Sequence, residues 1–522
     1  MGASTLTGTR GTGRVLVTSL MFIALVVAVV GSLGAPLITS VSALYRVPLS
    51  SAQWTLTITL LAGAIATPVL GRLGSGRRRR TVILWALVII VAGSVATVLP
   101  LPFGWLLAGR AAQGTALGLT ALMMGVARDQ VAEARSGRVI AMLSVASTVG
   151  IGLGYPLAGL LTDAGGVRAA YGLGLFITVL ALLAAWRAIP PSPPGRPGDL
   201  DVPGAVLLGG GLLALLIPVS QSRLWTSAPL IAGLLLAVAA ALLAAWAWWE
   251  NRAAAPLTDL GLLRHPAVAG ANLAMFAGGI GMYLLLTLVT RYVQTPSGTG
   301  YGFGFSVFVA GLVLVPFSAL GFVGGRVAPA LRSRVPLTAI LAAGAAVVLA
   351  ALVVFALARA RAWESFLVMG ALGLGVGMFS AAMPGVILAV TPPGETSSAM
   401  SFNQVVRSVG FSVGSALSGF ILSAYTPHGQ AFPAEGGYGA AAWAGVAAMA
   451  VTLAVIAGLA GRLCGSKKVH PMQQRPPWLD PEAPSQERGK GLSALVLGIG
   501  PVGHQRHLRA DGRPRPAGLC RG

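Results

Sequence analysis

Apolar residues in this chain do not alternate with polar ones; they come in long runs, each closed by an arginine, a proline or a glycine-rich break. Such runs fall at 15–38, 53–71, 81–99, 103–125, 139–161, 168–187, 204–220, 228–249, 268–290, 304–325, 335–357, 364–390, 405–424 and 438–460. A bilayer core about 30 Å thick takes roughly 20 residues of helix, so each run predicts one membrane-spanning helix. The number is fourteen, and an even number returns the chain to the side on which it started.

The two ends of the pattern repeat one another. GRLGSGRRRR, from Gly71, is answered by GRVAPALRSR, from Gly325, and Gly150, Gly154 and Gly159 are answered at the same spacing by Gly410, Gly414 and Gly419. Both matches imply one duplication, as in transporters that build a site between repeated halves. The expected organisation is a six-helix bundle over 1–187, a linker with two additional spans over 188–266, and a second six-helix bundle over 267–461. The polar, Pro- and Arg-rich segment 462–522 cannot bury enough apolar area to fold and is expected to be a disordered cytoplasmic tail.

Composition narrows the class. The chain is 55% hydrophobic and only 10% charged, with a mean hydropathy of +0.80, against about 25% charged residues in soluble domains. This predicts an all-α polytopic membrane protein. The net charge of +22 does not point to a nucleic-acid partner, because the arginines sit in short loops and in the tail. Arg77, Arg78, Arg79 and Arg80 lie between the second and third runs, and Arg128, Arg135 and Arg138 between the fourth and fifth, all on the side of the N-terminus. By the positive-inside rule both termini are cytoplasmic and the protein resides in the cell membrane. The first run follows Arg10 and Arg14 but is too long for a signal peptide, so it is read as a retained span. Cys464 and Cys520 lie beyond the last run without metal-ligand spacing, and no cofactor is expected. Walker A, HExxH and nucleophile-elbow motifs are absent from the sequence, which argues against an ATP-driven pump or a membrane enzyme.

Polar residues inside the runs are the candidate chemistry. Arg110 lies about seven residues into the fourth run, near 10 Å deep at about 1.5 Å per residue. An ionised side chain there costs at least roughly 2.5 kcal/mol and marks a functional position by default. Gln113 and Gly114 follow it. In the fifth run Gly150, Gly154 and Gly159 set a flat stripe for close helix contact, while Pro156, after Tyr155, removes a backbone hydrogen bond and predicts a kink. Asp163 ends that run. Asn403, Gln404 and Arg407 stand where the chain enters the thirteenth run, near enough to the cytoplasmic end for Arg407 to snorkel. Trp54, Tyr155, Tyr283 and Phe379 are aromatics suited to a drug-sized cavity, and Asn272 adds a polar point.

These residues resemble the major facilitator superfamily, and within it the fourteen-span branch of drug:proton antiporters. Gly71, Leu73, Arg79 and Arg80 match the family's loop Gly-x-Leu-Ala-Asp-x-x-Gly-Arg-Arg, with Ser75 where the family has Asp and Arg78 where it has Gly. Arg110, Gln113 and Gly114 match its Arg-x-x-Gln-Gly, and the stretch from Gly150 to Gly159 resembles its Gly-x-x-x-Gly-Pro-x-x-Gly with Tyr155 inserted before Pro156. The resemblance implies the major facilitator fold, two six-helix bundles plus two extra central helices. It also implies alternating access, a small-molecule substrate, protons or another ion as the coupling species, and a monomer in the lipid bilayer. In the family the loop Asp pairs with basic groups to latch the cytoplasmic gate, so Ser75 predicts an altered latch.

Coupling is where the sequence departs most. The branch often carries an Asp in the first span, and the corresponding position here is Val27. Each of the 14 acidic residues lies in a loop, at a run end or in the tail, and all five histidines are outside the runs. A proton relay needs a group that titrates near working pH, and arginine stays protonated. Coupling through a span-end carboxylate such as Asp163 or Glu364, coupling through substrate charge or another ion, and uncoupled transport all remain open. The expected function is secondary active efflux of hydrophobic or amphipathic small molecules. The alternatives are an uncoupled facilitator or uptake permease, and a non-transporting sensor on a transporter scaffold.

Overall fold

The computed structural model describes residues 5–466 apart from positions 35, 48, 53, 75–77, 192–200, 221, 254–259, 393–394, 428–429 and 431. Among the described residues the regular structure is helical throughout. The first helices are α1 (Thr5–Ser32), α2 (Ile38–Tyr45), α3 (Leu49–Ala52), α4 (Trp54–Leu73), α5 (Arg79–Val98), α6 (Phe103–Gly114), α7 (Ala116–Gln130) and α8 (Glu133–Ala188). A middle set follows: α9 (Val202–Ser220), α10 (Ser222–Ser227), α11 (Pro229–Glu250) and α12 (Leu260–Arg264). The last are α13 (Pro266–Gln294), α14 (Val307–Val313), α15 (Val315–Leu331), α16 (Leu337–Leu357), α17 (Ala362–Leu388), α18 (Thr396–Ala424) and α19 (Glu435–Ser466).

Twelve of the described helical segments are long and apolar enough to cross a membrane. Helices are the expected solution, because a hydrocarbon medium leaves each backbone N–H and C=O to be satisfied within its own segment. Three of the fourteen expected runs take another form. The run 103–125 is divided at Thr115 into α6 and α7, and the fifth and sixth runs are joined in the 56-residue α8. At about 1.5 Å per residue that helix is far longer than a bilayer core, and it is broken at Gly165 and Gly166, the latter with φ 73°. A left-handed φ of that kind is one that glycine adopts without a Cβ penalty.

Three boundaries differ from the pattern for identifiable reasons. The first run was drawn to 38, but α1 ends at Ser32, ahead of Gly34 and Pro36. The thirteenth was drawn from 405, whereas α18 starts at Thr396. Its first turns are polar and so do not score as membrane-like, yet Thr396, Ser397, Ser401, Asn403 and Gln404 are buried against protein. The tail boundary was drawn at 461, and α19 continues to Ser466; residues 467–522, the rest of the expected tail, lie outside the described residues.

Packing sorts the helices. α1 lies along α8, α5 packs on α6 and α8, and α4 packs on α6 and α7. In the later part α15 and α16 both pack on α17, and α13 packs on α18 and α17. Close approach of α19 to α13 and α16 is permitted by Gly281, which faces Met449, and by Gly445, which faces Leu352 and Leu284. α9 and α11 pair with each other, and α9 rests on α4. The two groups meet where α8 packs on α14, α15 and α17 and where α18 packs on α4 and α7. The outer surface carries large apolar side chains such as Leu230, 88% exposed, Trp85, Val206 and Phe176. Lipid is the medium in which such a surface is stable.

Candidate substrate cavity and gate

Arg110, on α6, is fully buried. Its Nε donates to the main-chain oxygen of Thr55 on α4 and its Nη1 to that of Val30 on α1, both at 3.1 Å. Nη1 also donates to Oε1 of Gln113, one turn on, at 2.7 Å. Gln113 Nε2 donates in turn to Ser94 Oγ on α5 at 3.0 Å. The guanidinium carbon lies 5.9 Å from the ring centre of Tyr171 on α8, and a side chain at Gly34 would strike the fork. The Arg-x-x-Gln pair thus ties α1, α4, α5 and α6 together. Fixed carbonyl dipoles are a route by which a cation is held in an apolar medium. Gly114 completes the signature for a steric reason: a Cβ there would lie 3.0 Å from the Gly63 nitrogen of α4.

The glycines of α8 serve two partners. Gly150 and Gly154 face α1, where added methyl groups would lie 2.9 Å from the Leu25 oxygen and 3.3 Å from the Val29 oxygen respectively. Gly152 and Gly159 face the second group; a Cβ on Gly159 would lie 3.0 Å from Phe308 Cα on α14. Pro156 is the contact point for Gly311 of α14, whose added Cβ would lie 2.8 Å from Pro156 Cα. The kink expected at Pro156 is instead at Gly165 and Gly166, and the dihedrals stay helical through the proline. Tyr155 beside it is half-buried, and Asp163 is exposed two residues before the break.

Charged groups collect at the end of the molecule where α4, α7 and α17 finish and α5, α8 and α18 begin. Arg79 donates from Nε to the Gly74 oxygen at 2.8 Å and forms an ion pair through Nη1 with Asp129 of α7. Arg80 donates from Nη2 to the Trp186 oxygen at the end of α8, at 2.9 Å. Arg128, the neighbour of Asp129, crosses between the groups. Its Nη1 donates to Thr396 Oγ1 at 2.9 Å and its Nη2 to the Thr391 oxygen at 2.8 Å. Arg72 Nη1 lies 3.8 Å from Glu395 Oε1. Gly71, two residues before Leu73 at the end of α4, allows that end to touch α18: a Cβ there would lie 2.6 Å from Ser401 Cβ. Ser75 lies outside the described residues. Acidic partners come from Asp129 and Glu395, both of which lie between apolar runs in the sequence. The Arg128–Asp129 dipeptide closing the fourth run was the available signal.

A small cavity opens within the second group. α13 contributes Met275, Met282, Tyr283 and Leu286 to its wall, and α15 contributes Phe317. Val376 and Ser380 come from α17, Arg407 and Phe411 from α18. Arg407 is therefore not a snorkelling residue at a helix end. It lies eleven positions after Thr396, roughly 16 Å along the axis at about 1.5 Å per residue, and faces inward. Of the expected aromatics Tyr283 lines the cavity, Phe379 is buried in the core, and Trp54 packs in an apolar cluster with Leu61 and Leu208. Arg110, Gln113 and Asn272 do not line it; Asn403 Nδ2 donates to Asn272 Oδ1 at 2.8 Å and so joins α18 to α13. The methionines, Phe317 and Phe411 were not legible as a site, since apolar residues in apolar runs carry no mark of which face meets a void.

Comparison with known proteins agrees with this architecture. The chain is 24% identical over 418 residues to the uncharacterized MFS-type transporter YvkA of Bacillus subtilis, covering 79% of this chain and 91% of that one. It is 27% identical over 367 residues to the multidrug resistance protein Stp of Mycobacterium tuberculosis, covering 67% of this chain and 64%, under two thirds, of the relative. It is 26% identical over 375 residues to the methylenomycin A resistance protein of Streptomyces coelicolor, covering 70% and 75%. Among solved structures, the human organic anion transporter MFSD10 (TETRAN) superposes with a TM-score of 0.57 at 15% identity, covering 85% of this chain and 99% of that one, a likeness of fold. The profile described as Major Facilitator Superfamily matches residues 20–415, most of the chain. With its helical membrane architecture and that match, this chain belongs to the Major Facilitator Superfamily of transporters.

Proposed function

We propose that the chain is a secondary exporter of hydrophobic or amphipathic small molecules, working by alternating access between the helices of 1–187 and those of 267–461. The observation that carries this reading is the pairing of a largely apolar internal cavity with a cross-group closure at one end: Arg128 bonded to Thr391 and Thr396, and Arg72 beside Glu395. The arginine-rich connections favour a cytoplasmic position for that end and for both termini, with fourteen spans in the cell membrane. The closed end then belongs to an outward-oriented state. The names of two relatives, a multidrug resistance protein and a methylenomycin A resistance protein, favour export of drug-like molecules. Arg110 and Gln113 act as a brace within the first group, and the glycines of α8 act as the sliding contact. Residues 188–266 hold the two additional spans, and the functional unit is a monomer.

Purified protein in proteoliposomes is expected to accelerate counterflow of a lipophilic substrate. No acceleration across a broad panel of lipophilic compounds would overturn the reading. An uncoupled facilitator is the second reading, favoured by the exposed position of Asp163 at a helix break.

A further inference from the structure

Resting on the transport reading, we propose that the cavity binds amphipathic organic anions, a carboxylate or sulfonate head on an apolar body, with Arg407 as the head-group ligand. The membrane potential drives their export.

The wall has a polarity that points one way. Arg407 Cζ lies 5.7 Å from the ring centre of Phe411, and Phe411 stacks on Tyr283 with 5.0 Å between centres and 22° between planes. One side of the cavity thus runs from a guanidinium to two aromatic faces. Met275, Met282 and Phe317 complete an apolar surface, and among the described residues no acidic one contributes to the lining. A cationic ligand would sit beside a fixed positive charge in a medium of low dielectric, an unfavourable pairing that acts as selection against it. An anionic head instead gains charge-assisted hydrogen bonds from a planar fork that matches carboxylate and sulfonate oxygens. Its body meets rings and thioethers that accommodate varied shapes. The aromatic ladder fixes where the body lies relative to the head.

The charge of the substrate also resolves how transport is driven. The acidic residues that the structure describes, such as Asp129, Asp163, Glu250 and Glu364, stand at helix ends or breaks. Arginine keeps its proton at working pH. An exported anion needs no such relay, because an inside-negative potential already moves negative charge outward.

The test uses the purified full-length protein and three probes that share one ring system: naphthalenesulfonate, neutral naphthalenesulfonamide and cationic naphthyltrimethylammonium. By titration calorimetry the anion is expected to bind at least roughly tenfold tighter than the cation. Arg407→Gln should weaken the anion by roughly ten- to a hundredfold, the range for one charged hydrogen bond, while changing the neutral probe by less than about twofold. Arg407→Lys should keep part of the preference. Equal binding of anion and cation overturns the proposal, and so does a Gln variant that weakens all three probes alike, since that is the mark of a structural arginine. In proteoliposomes, anion flux should follow the sign of an imposed potassium–valinomycin potential; flux that follows a pH gradient alone overturns the driving force. If the neutral or cationic probe is carried and the anion is not, the anion assignment fails while transport stands. If none is bound and counterflow with the broad panel also fails, both readings fall.

Discussion

Nη2 of Arg128, near the end of α7, donates to the main-chain oxygen of Thr391, beyond the end of α17, at 2.8 Å. A second hydrogen bond from the same guanidinium, to Thr396 Oγ1, makes this a two-point bridge between the helix groups. A bond from a charged donor contributes about 1.5–3 kcal/mol, enough to bias a two-state gate strongly. Arg128→Gln is expected to open this end. With Cys464 and Cys520 replaced by Ser, a cysteine introduced at Ser401 should react several-fold faster with a membrane-impermeant maleimide when Arg128 is also changed. An unchanged rate would mean that the bridge is not a latch.

Arg110 reaches three acceptors, the Thr55 and Val30 oxygens and Gln113 Oε1. The compact ammonium of lysine does not span acceptors so disposed, and the Arg-to-Lys change is not conservative at a forked site. Arg110→Lys should reduce transport at least roughly tenfold and lower the thermal midpoint in detergent, with membrane insertion intact. Transport at the parental rate would show that a point charge suffices and that the fork geometry is immaterial.

Glycines of the α18 stripe differ in their surroundings. Gly410 faces the backbone of α13, with the Phe276 oxygen 2.6 Å from an added Cβ, whereas Gly419 faces open space. Overpacking against backbone costs typically about 1–3 kcal/mol, and replacing an unconstrained helical glycine by alanine gains up to about 1 kcal/mol. Gly410→Ala should therefore lower the thermal midpoint, and Gly419→Ala should leave it unchanged or raise it. Equal losses in both would show that the third glycine of the stripe is also a contact.

Dependence on the pH gradient is expected to be weak. Asp163 is exposed, and burial pushes the Tyr301 hydroxyl, in the connection after α13, up to about 12, so that phenol holds its proton across working pH. In inside-out vesicles nigericin collapses the pH gradient and spares the potential. It should inhibit little, and any residue of inhibition should vanish in Asp163→Asn. Strong inhibition that persists in that variant would place a proton site elsewhere.

Most span positions, the all-helical class and the family were legible in the sequence, because apolar run length is set by the thickness of the bilayer and because the signatures around Gly71, Arg110 and Gly150 are local. Identity of the breaks was not. Pro156 and the Gly165–Gly166 pair both interrupt a helix in principle; in the structure the glycine pair is the break, while Pro156 stays helical in contact with Gly311. The beginning of α18 was hidden for the opposite reason, since its polar first turns are buried by other helices and not by lipid. Arg110 reads as a costly charge inside a span, and Arg407 as a residue close enough to a helix end to snorkel. Tertiary structure gave each its surroundings: the Arg110 guanidinium is bonded to carbonyls of α1 and α4, and Arg407 contributes to a cavity wall that also draws on α13, α15 and α17. Which face of an apolar helix meets lipid, a neighbour or a void depends on how the helices are rotated against each other, and that rotation is fixed by contacts between residues far apart in the chain.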